Sequence, residues 1–370
     1  MNPNIYDYAT TEYAQDAFIA WMCDNFHSTN PNKKYLAERF IELLFQTGKV
    51  PSYTDLKVDT QPSNIDVLVT LLDNKKNPIH YLIIEDKKFS QEHSGQLSKY
   101  IKALLGNKKT GITIRDISVA YYKTGHISSI NSQFEFQNGI CKNITVLSEA
   151  NRIKNVYVTH PGLASFKICS LDDIHTFLSS HKAYIQSSGS EILIDYADSI
   201  NRLWGIYNST TIDIKNNPKS IQWGRVFEDF VINYGSKYPN LTFDIGIFNG
   251  HYWEIRFTQI VNGQCIYPVV NFRANAFDEK QPSVKFINGA GVLDNLHHTH
   301  IVPIPNKPAL GYKRYKMPLG HFMNNASLNK ITTTTSSITV RDLKTLLDEI
   351  CKEYCSILAM PNPDFDKYIL

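Results

Sequence analysis

Apolar residues near the start of the chain recur at the spacing of amphipathic helices. Between about Thr11 and Phe26 they fall roughly one helical turn apart, at Ala14, Ala17, Phe18, Trp21 and Met22. A second segment of helical character runs from about Pro31 to Gln46, and Gly48 and Pro51 follow it. Because helices bury one apolar face and end before such residues, the pattern predicts two helices at the beginning of the chain.

The segments that follow change to the patterns of strands. Runs of β-branched and aromatic residues predict strands at Tyr53–Val58, Asn64–Leu72, Ile79–Lys87 and Asp116–Tyr122. The turn-forming residues Asp73–Pro78 would join the second and third strands into a hairpin. Helical spacing returns at Ser94–Leu105. This alternation predicts an α/β (α+β) fold with a mixed central sheet that is flanked by helices.

The remainder of the chain divides into a helical part and a strand-rich part. Helical periodicity covers Leu171–Ser180 and Ser190–Tyr207. After Asn208, short aromatic strands alternate with Asn-Gly turns, and we predict them at Leu241–Phe248, Tyr252–Ile260 and Gln264–Phe272. A last amphipathic helix runs from about Arg341 to Leu358. We therefore predict a core in residues 1–130, a helical extension in 131–208 and a C-terminal α+β domain in 209–370.

The composition is that of a folded protein without membrane spans. Of 370 residues, 42% are hydrophobic and 20% charged, and no apolar run approaches the roughly 18 residues of a membrane helix. The polar start differs from a signal peptide. Six cysteines without a C-x-x-C pair argue against a disulfide framework and a thiolate zinc site. We expect a cytoplasmic protein that does not bind a membrane.

Positive charge is concentrated in two stretches, although the net charge is only +3. Between Lys87 and Lys123 there are eight Lys or Arg residues and two acids, and between Asn295 and Arg341 there are six and none. Such stretches are either solvated surface or contacts for phosphates. Composition alone leaves both interpretations open.

Two apolar strands acquire charged residues and carry the candidate chemistry: Asp66 lies in one, while Glu85 and Lys87 end the other. Alternate residues of a strand share a face, so Glu85 and Lys87 would lie about 6–7 Å apart. Magnesium takes carboxylate oxygens, and a lysine can stabilise negative charge on a phosphate. A cross-strand ion pair, worth under about 1 kcal/mol, explains the same residues without catalysis. Asp86-Lys87-Lys88 offers a second D-x-K frame on the opposite face.

The surrounding sequence resembles the PD-(D/E)XK nuclease superfamily over about residues 10–125. The resemblance is carried by Asn64-Ile65-Asp66-Val67-Leu68-Val69, Leu82-Ile83-Ile84-Glu85-Asp86-Lys87 and Gly95-Gln96-Leu97-Ser98-Lys99-Tyr100. In particular it resembles prokaryotic members in which a GQL..Y helix follows the E-x-K strand. Ile65 replaces the proline of the motif. The family places the acid directly after the apolar run, which selects Glu85 and Lys87 over Asp86 and Lys88.

The resemblance implies a restriction-endonuclease-like core and Mg²⁺-dependent hydrolysis of phosphodiester bonds, with Mn²⁺ as a substitute. The substrate would be DNA, with RNA left open, in restriction, defence or genome maintenance. The alternative is a nuclease-derived module that binds nucleic acid or protein without cutting. An intact set of three residues favours the enzyme, and the oligomeric state, including a homodimer, stays open.

Each implied site residue has a role in the resemblance and a plainer alternative. Asp66, Glu85 and Lys87 would be catalytic, and Glu12 on the first helix would join Asp66 and Glu85 as a metal ligand. Glu12, like Asp16 one turn later, is otherwise an ordinary acid near a helix N-terminus. The next helix would bring Gln96 and Tyr100 to the substrate, and the alternative for both is a helix surface partly in the core.

Basic and aromatic residues alternate in Tyr312-Lys313-Arg314-Tyr315-Lys316. In what we predict to be a Pro/Gly-rich loop, Lys313, Arg314 and Lys316 could bind phosphates while the tyrosines stack on unpaired bases. A solvated loop is the alternative. The nearby His297-His298-Thr299-His300 has no cysteine or acid at ligand spacing, so we interpret it as surface.

Overall fold

In a computed structural model, the chain forms two compact units. The first unit contains residues 1–127 and 149–206, and the second contains residues 128–148 and 207–370. The predicted extension 131–208 is thus divided, because 149–206 belongs to the first unit. The structure describes residues 4, 6, 12–88, 95–106, 111–127, 136–137, 140–141, 149–214, 221–238, 241–248, 252–261, 264–265, 269–277, 283–288, 313–324, 327–328, 331 and 336–359. Within these ranges, every helix is too short or too polar to traverse a lipid bilayer.

The first unit alternates helices and strands much as the periodicity predicts. Its helices are α1 (Glu12–Asp24), α2 (Pro31–Leu44), α3 (Gln96–Leu105), α4 (Glu149–Thr159), α5 (Leu171–Ser180), α6 (Lys182–Ser187) and α7 (Glu191–Asn208). Its strands are β1 (Asp55–Thr60), β2 (Val67–Leu72), β3 (Pro78–Lys87), β4 (Ile117–Lys123) and β7 (Ser165–Cys169). Most predicted boundaries lie within two or three residues of these.

These strands form a mixed sheet in the order β1-β2-β3-β4-β7. β1, β2 and β3 pair antiparallel, whereas β3, β4 and β7 pair parallel. A parallel pair needs a crossover connection, and α3 lies in the one between β3 and β4. The predicted mixed sheet with flanking helices is therefore confirmed. The strand β7 was not foreseen, because Ser165–Cys169 is short and lacks a clear alternating pattern.

β3 is the central strand, and its residues from His80 to Lys87 are buried. On one face Ile83 packs in a cluster with Leu97 and Ile101 of α3. The opposite face lies under α1 and α2, where Phe40 contacts Tyr122 with ring centroids 6.0 Å apart. Burial on both faces explains the continuous apolar run in this strand.

A left-handed turn precedes β2. Gln61, Ser63 and Asn64 have φ angles of 59°, 56° and 67°, conformations that side chains other than glycine adopt at some cost. β2 therefore begins at Val67, and the predicted start at Asn64 is wrong. Apolar and β-branched content gives no signal of this backbone conformation.

The second unit contains a sheet formed by β9 (Leu241–Phe248), β10 (Tyr252–Val261), β11 (Gln264–Cys265), β12 (Val269–Arg273), β13 (Ser283–Asn288) and β14 (Lys313–Pro318). The strand order is β11-β10-β12-β13-β14, with β9 paired to β10. The strands outside this sheet are β5 (Phe136–Gln137), β6 (Ile140–Cys141), β8 (Thr211–Asp213) and β15 (Ser337–Thr339). The helices are α8 (Ile221–Tyr234) and α9 (Val340–Ala359).

The predicted hairpins of this unit are confirmed, because β9, β10 and β11 pair antiparallel in succession. The predicted strand Gln264–Phe272 is divided into β11 and β12. The prediction of a loop at Tyr312–Lys316 is wrong for Lys313–Lys316, which lie in β14 paired with β13. Charged residues in an edge strand carry no apolar alternation, so no strand pattern is visible there along the chain.

We expect Ile83→Ala to lower the free energy of unfolding by about 2–5 kcal/mol, because it opens a cavity beneath the charged end of β3. Urea unfolding followed by circular dichroism measures this change. Ile194→Ala is the matched control, since Ile194 of α7 is 37% exposed and its truncation should cost much less. Equal losses in the two variants would contradict the packing described for β3.

Candidate functional site

Sheet register brings Asp66 beside Glu85. β2 and β3 pair with Val67 opposite Ile84, so the next position along places Asp66 opposite Glu85 on the same face. The carboxylate of Asp66 also accepts the backbone N–H of Asp86 through Oδ2 at 2.9 Å. This bond fixes Asp66 across the end of β3.

Glu85, Lys87 and Asp66 meet on this face. Lys87 Nζ lies 2.5 Å from Glu85 Oε1 and 3.9 Å from Asp66 Oδ2. Glu85 is fully buried, while the Asp66 side chain is 17% exposed and is the most accessible of the three. The cluster thus combines two carboxylates with one ammonium at the border between the core and solvent.

Burial makes the charged form of Glu85 unfavourable. Desolvation, followed by the neighbouring Asp66 carboxylate, raises the pKa of Glu85 to about 8, although Lys87 acts in the opposite direction. Glu85 Oε1 has its ion pair with Lys87, but Oε2 is buried without a hydrogen-bond partner. A buried carboxylate oxygen of this kind requires a proton or a further cation.

The donor set fits a hard divalent cation. The described residues contain no cluster of three or more His, Cys, Asp or Glu side chains that could enclose a metal ion. Mg²⁺ does not need such an enclosure, because one or two carboxylates suffice when water and a substrate phosphate complete its shell. Asp66 and Glu85 would supply two such carboxylates, and they lie within hydrogen-bonding distance of each other.

α3 places Gln96 and Tyr100 next to these carboxylates. Gln96 Nε2 donates to the Tyr100 hydroxyl at 3.4 Å. Burial, together with the nearby charges of Glu85 and Asp66, raises the pKa of Tyr100 to about 12. The two side chains that the resemblance associates with substrate therefore lie at the cluster.

Asp86 belongs to the opposite face of β3. Its Oδ1 accepts a hydrogen bond of 2.5 Å from Gln15 Nε2 of α1, and Gln15 Oε1 accepts one of 3.0 Å from Thr124. The alternative D-x-K frame would thus use an acid whose carboxylate is bound to α1. Asp66 and Glu85 lie together with Lys87 on one face of the strand, whereas Asp86 lies on the other face.

Glu12 is the first residue of α1, and its side chain lies outside the described residues. One turn later, the buried Asp16 accepts a 3.4 Å hydrogen bond from Gln61 Nε2. α1 supplies Gln15 to the Asp86 face of β3. The role of Glu12 as a metal ligand stays a prediction.

Lys313, Arg314 and Lys316 lie in β14 of the second unit, and their side chains are outside the described residues, as are Tyr312 and His297–His300. The β13–β14 register sets Lys316 opposite Lys285 and Arg314 opposite Ile287. Directly opposed like charges destabilise a strand pair unless an anion compensates them. Lys285 was not selected from the sequence, because it lies outside the basic stretch that begins at Asn295.

Lys123 and Gly125 were also missed. Lys123 is buried and lies opposite Lys87 in the parallel β3–β4 register, so a second lysine is near the cluster. The sequence did contain a signal for Lys123, because β4, like β3, is an apolar strand whose last residue is charged. Gly125 passes so close to the backbone of Lys88 that any side chain there would collide with the Lys88 carbonyl oxygen.

We expect Glu85→Gln to raise the melting temperature more at about pH 9 than at about pH 5. An acid whose pKa rises on folding, here from 4.5 to about 8, stabilises the fold fully below its unfolded pKa and loses this contribution as pH rises through the folded value. Thermal unfolding in EDTA at both pH values measures the effect. Glu42→Gln on the surface of α2 is the control, and equal shifts for both variants would contradict the burial of Glu85.

Comparison with known proteins finds no matching family model, and neither a curated protein nor a solved structure matches the chain. The likeness to PD-(D/E)XK nucleases therefore rests on the residues themselves. Membership of that superfamily stays a prediction, carried by Asp66, Glu85 and Lys87.

Proposed function

We propose that this protein is a nuclease of the PD-(D/E)XK type that requires a divalent metal, with a restriction-endonuclease-like core in its first unit. The convergence of Asp66, Glu85 and Lys87 at one end of β3 supports this most strongly. A surface ion pair would leave both carboxylates in water, whereas here Glu85 is fully buried. A buried carboxylate oxygen without a hydrogen-bond partner is rare in a purely structural ion pair, and a bound cation would explain it.

Asp66 and Glu85 would hold Mg²⁺, or Mn²⁺ in its place. When bound, the metal would supply Lewis acidity and lower the pKa of water for phosphodiester hydrolysis. Glu85 must lose its proton to act as a ligand, so its raised pKa makes metal affinity increase with pH up to about 8. Lys87 holds Glu85 in place and offers an ammonium group to negative charge that develops on the phosphate.

Nucleic acid is the substrate that fits the surroundings of this cluster. Lys99 and Lys102 are exposed on α3, the helix that also carries Gln96 and Tyr100. Exposed lysines near a metal site can bind the phosphates that flank a scissile bond. We infer DNA as the substrate, and assays with RNA alongside distinguish the two.

We expect Asp66→Ala, Glu85→Ala and Lys87→Ala each to abolish cleavage while the protein remains folded. The two acids would hold the metal and Lys87 would stabilise charge, so losses of about 10²-fold or more are expected. The measurement is incubation of purified protein with single- and double-stranded DNA and RNA in Mg²⁺, Mn²⁺ or EDTA. Circular dichroism verifies folding.

Asp86→Asn is the matched control for this series. It changes the neighbouring acid on the opposite face, and its amide oxygen can still accept the bond from Gln15. It should retain most activity. Cleavage by Asp66→Ala or Glu85→Ala at the wild-type rate would refute the proposal, and metal-independent binding without cleavage by the wild type would instead indicate a binding module.

The basic residues of β14 provide a separate test of nucleic-acid binding. Replacing Lys313, Arg314 and Lys316 together with alanine should weaken binding and flatten its salt dependence by roughly two units, since each phosphate contact contributes about 0.7–0.9. Fluorescence anisotropy with labelled DNA at several salt concentrations measures the slope. Unaltered affinity and slope would exclude this strand as a nucleic-acid contact and favour a protein partner or a homodimer contact.

A further inference from the structure

The first helix, α1, is joined to the ends of β3 and β4 through Gln15. This side chain is buried, and its Nε2 donates to Asp86 Oδ1 at 2.5 Å. Its Oε1 accepts a hydrogen bond of 3.0 Å from the Thr124 hydroxyl. Thr124 directly follows β4, and its backbone N–H donates to the Lys87 carbonyl of β3 at 3.3 Å. One amide group thus connects α1 to two neighbouring parallel strands where both strands end.

The chemistry of a glutamine suits this connection. Its amide has donors on nitrogen and an acceptor on oxygen, so one planar group bonds a carboxylate and a hydroxyl at the same time. An apolar side chain at position 15 would give no partner to the buried carboxylate of Asp86. A carboxylate there would still accept from Thr124 but would repel Asp86.

Asp86 passes this constraint on to Asp66 through its backbone. Its carboxylate is bonded to Gln15, and its backbone N–H donates to Asp66 Oδ2 at 2.9 Å. The side chain and the amide nitrogen are attached to the same Cα, so a displaced Asp86 carboxylate also displaces the donor that holds Asp66. Gln15 therefore influences the position of Asp66 without touching it.

The next residue of α1 acts on the other side of Asp66. Asp16 is buried, and its Oδ2 accepts a longer hydrogen bond of 3.4 Å from Gln61 Nε2. Gln61 belongs to the left-handed turn before β2, and its backbone N–H donates to the Asp66 carbonyl at 3.1 Å. Consecutive helix residues point about 100° apart, so Gln15 and Asp16 reach β3 and this turn from one helix. Two connections from α1 thus converge on Asp66.

The apolar face of α1 provides a fixed base for these connections. Phe18, Ile19 and Met22 are buried. Phe18 stacks on Tyr196 with ring centroids 3.6 Å apart and meets Phe40 edge-on at 6.5 Å. A helix anchored by its apolar face holds its polar side chains at defined positions.

We propose that Gln15, supported by Asp16, is a positioning residue that holds Asp66 opposite Glu85, where the two carboxylates would share one cation. This inference rests on the proposed metal-dependent function. Gln15 contacts neither the cation nor the substrate. Residues that orient metal ligands from behind typically contribute about 10–100-fold to metal affinity or activity.

Amide hydrogen exchange of the full chain in EDTA, measured by NMR, tests the connection without catalysis. We expect Gln15→Ala to raise the exchange rate of the Asp86 amide by at least about tenfold, as Asp66→Ala should, because both loosen the bond that protects it. The Leu82 amide of the same strand should exchange at the wild-type rate. Gln46→Ala removes an exposed glutamine and is the matched control. An unchanged Asp86 rate in Gln15→Ala, or an equal rise at Leu82, would overturn the inference.

A paired exchange of groups tests whether this hydrogen bond matters for the site. Gln15→Glu places a second carboxylate against Asp86 and should lower Mn²⁺ affinity and single-turnover DNA cleavage by about tenfold, with little change in DNA affinity. Adding Asp86→Asn reverses the donor, because the new amide donates to the new carboxylate, which still accepts from Thr124. The double variant should recover most of both losses.

The outcomes separate this inference from the proposed function. Wild-type Mn²⁺ affinity and cleavage in Gln15→Glu, or an impaired single variant that the second substitution does not rescue, would refute the positioning role and leave the nuclease standing. A wild-type protein that neither binds Mn²⁺ nor cleaves would refute the nuclease. In that case the exchange experiment in EDTA still decides whether Gln15 fixes the end of β3.

Discussion

Glu85 and Lys87 are charged residues at the end of a strand that is buried on both faces. Removing these charges from water costs free energy, and this cost constrains which side chains can surround them. Lys87 compensates part of the buried carboxylate from 2.5 Å, yet burial still raises the pKa of Glu85 to about 8. One carboxylate oxygen has no hydrogen-bond partner. An additional cation would relieve this cost, which is the physical basis of the proposed metal site.

The position of Asp66 depends on a preceding turn whose backbone conformations cost free energy. Three residues with left-handed φ angles precede it, and they delay the start of β2 until Val67. The turn keeps Asp66 opposite Glu85, and its Oδ2 then accepts the backbone N–H of Asp86. Unusual conformations persist where the surrounding structure determines them, and here the buried Ile65 and this hydrogen bond do so.

Because side chains alternate along β3, its charged residues lie in two different environments on the two faces of the sheet. Glu85 and Lys87 lie on the face covered by α3, whereas Asp86 is bound to Gln15 of α1 on the other. The backbone of Asp86 nevertheless contacts Asp66, so the two faces are physically connected within one residue.

The sequence by itself determined the elements whose signal is local. Periodicity predicted α1, α2, α3 and the β2–β3 hairpin, because helix and strand faces repeat every few residues. Charged residues in two apolar strands, and then the resemblance, indicated Asp66, Glu85 and Lys87, but the meeting of these residues depends on a sheet register that no local pattern specifies. Periodicity also left the choice between Glu85 and Asp86 open, since both follow apolar residues.

Only the tertiary structure decided which distant residues share an environment. It placed Lys123 opposite Lys87, joined Gln15 of α1 to Asp86 of β3 and paired the basic run of β14 with β13. Neither the short β7 nor the charged β14 has a strand pattern of its own. Both form strands because they are hydrogen-bonded to a neighbouring strand. Such partners become adjacent through long-range packing, which composition and spacing along one segment do not record.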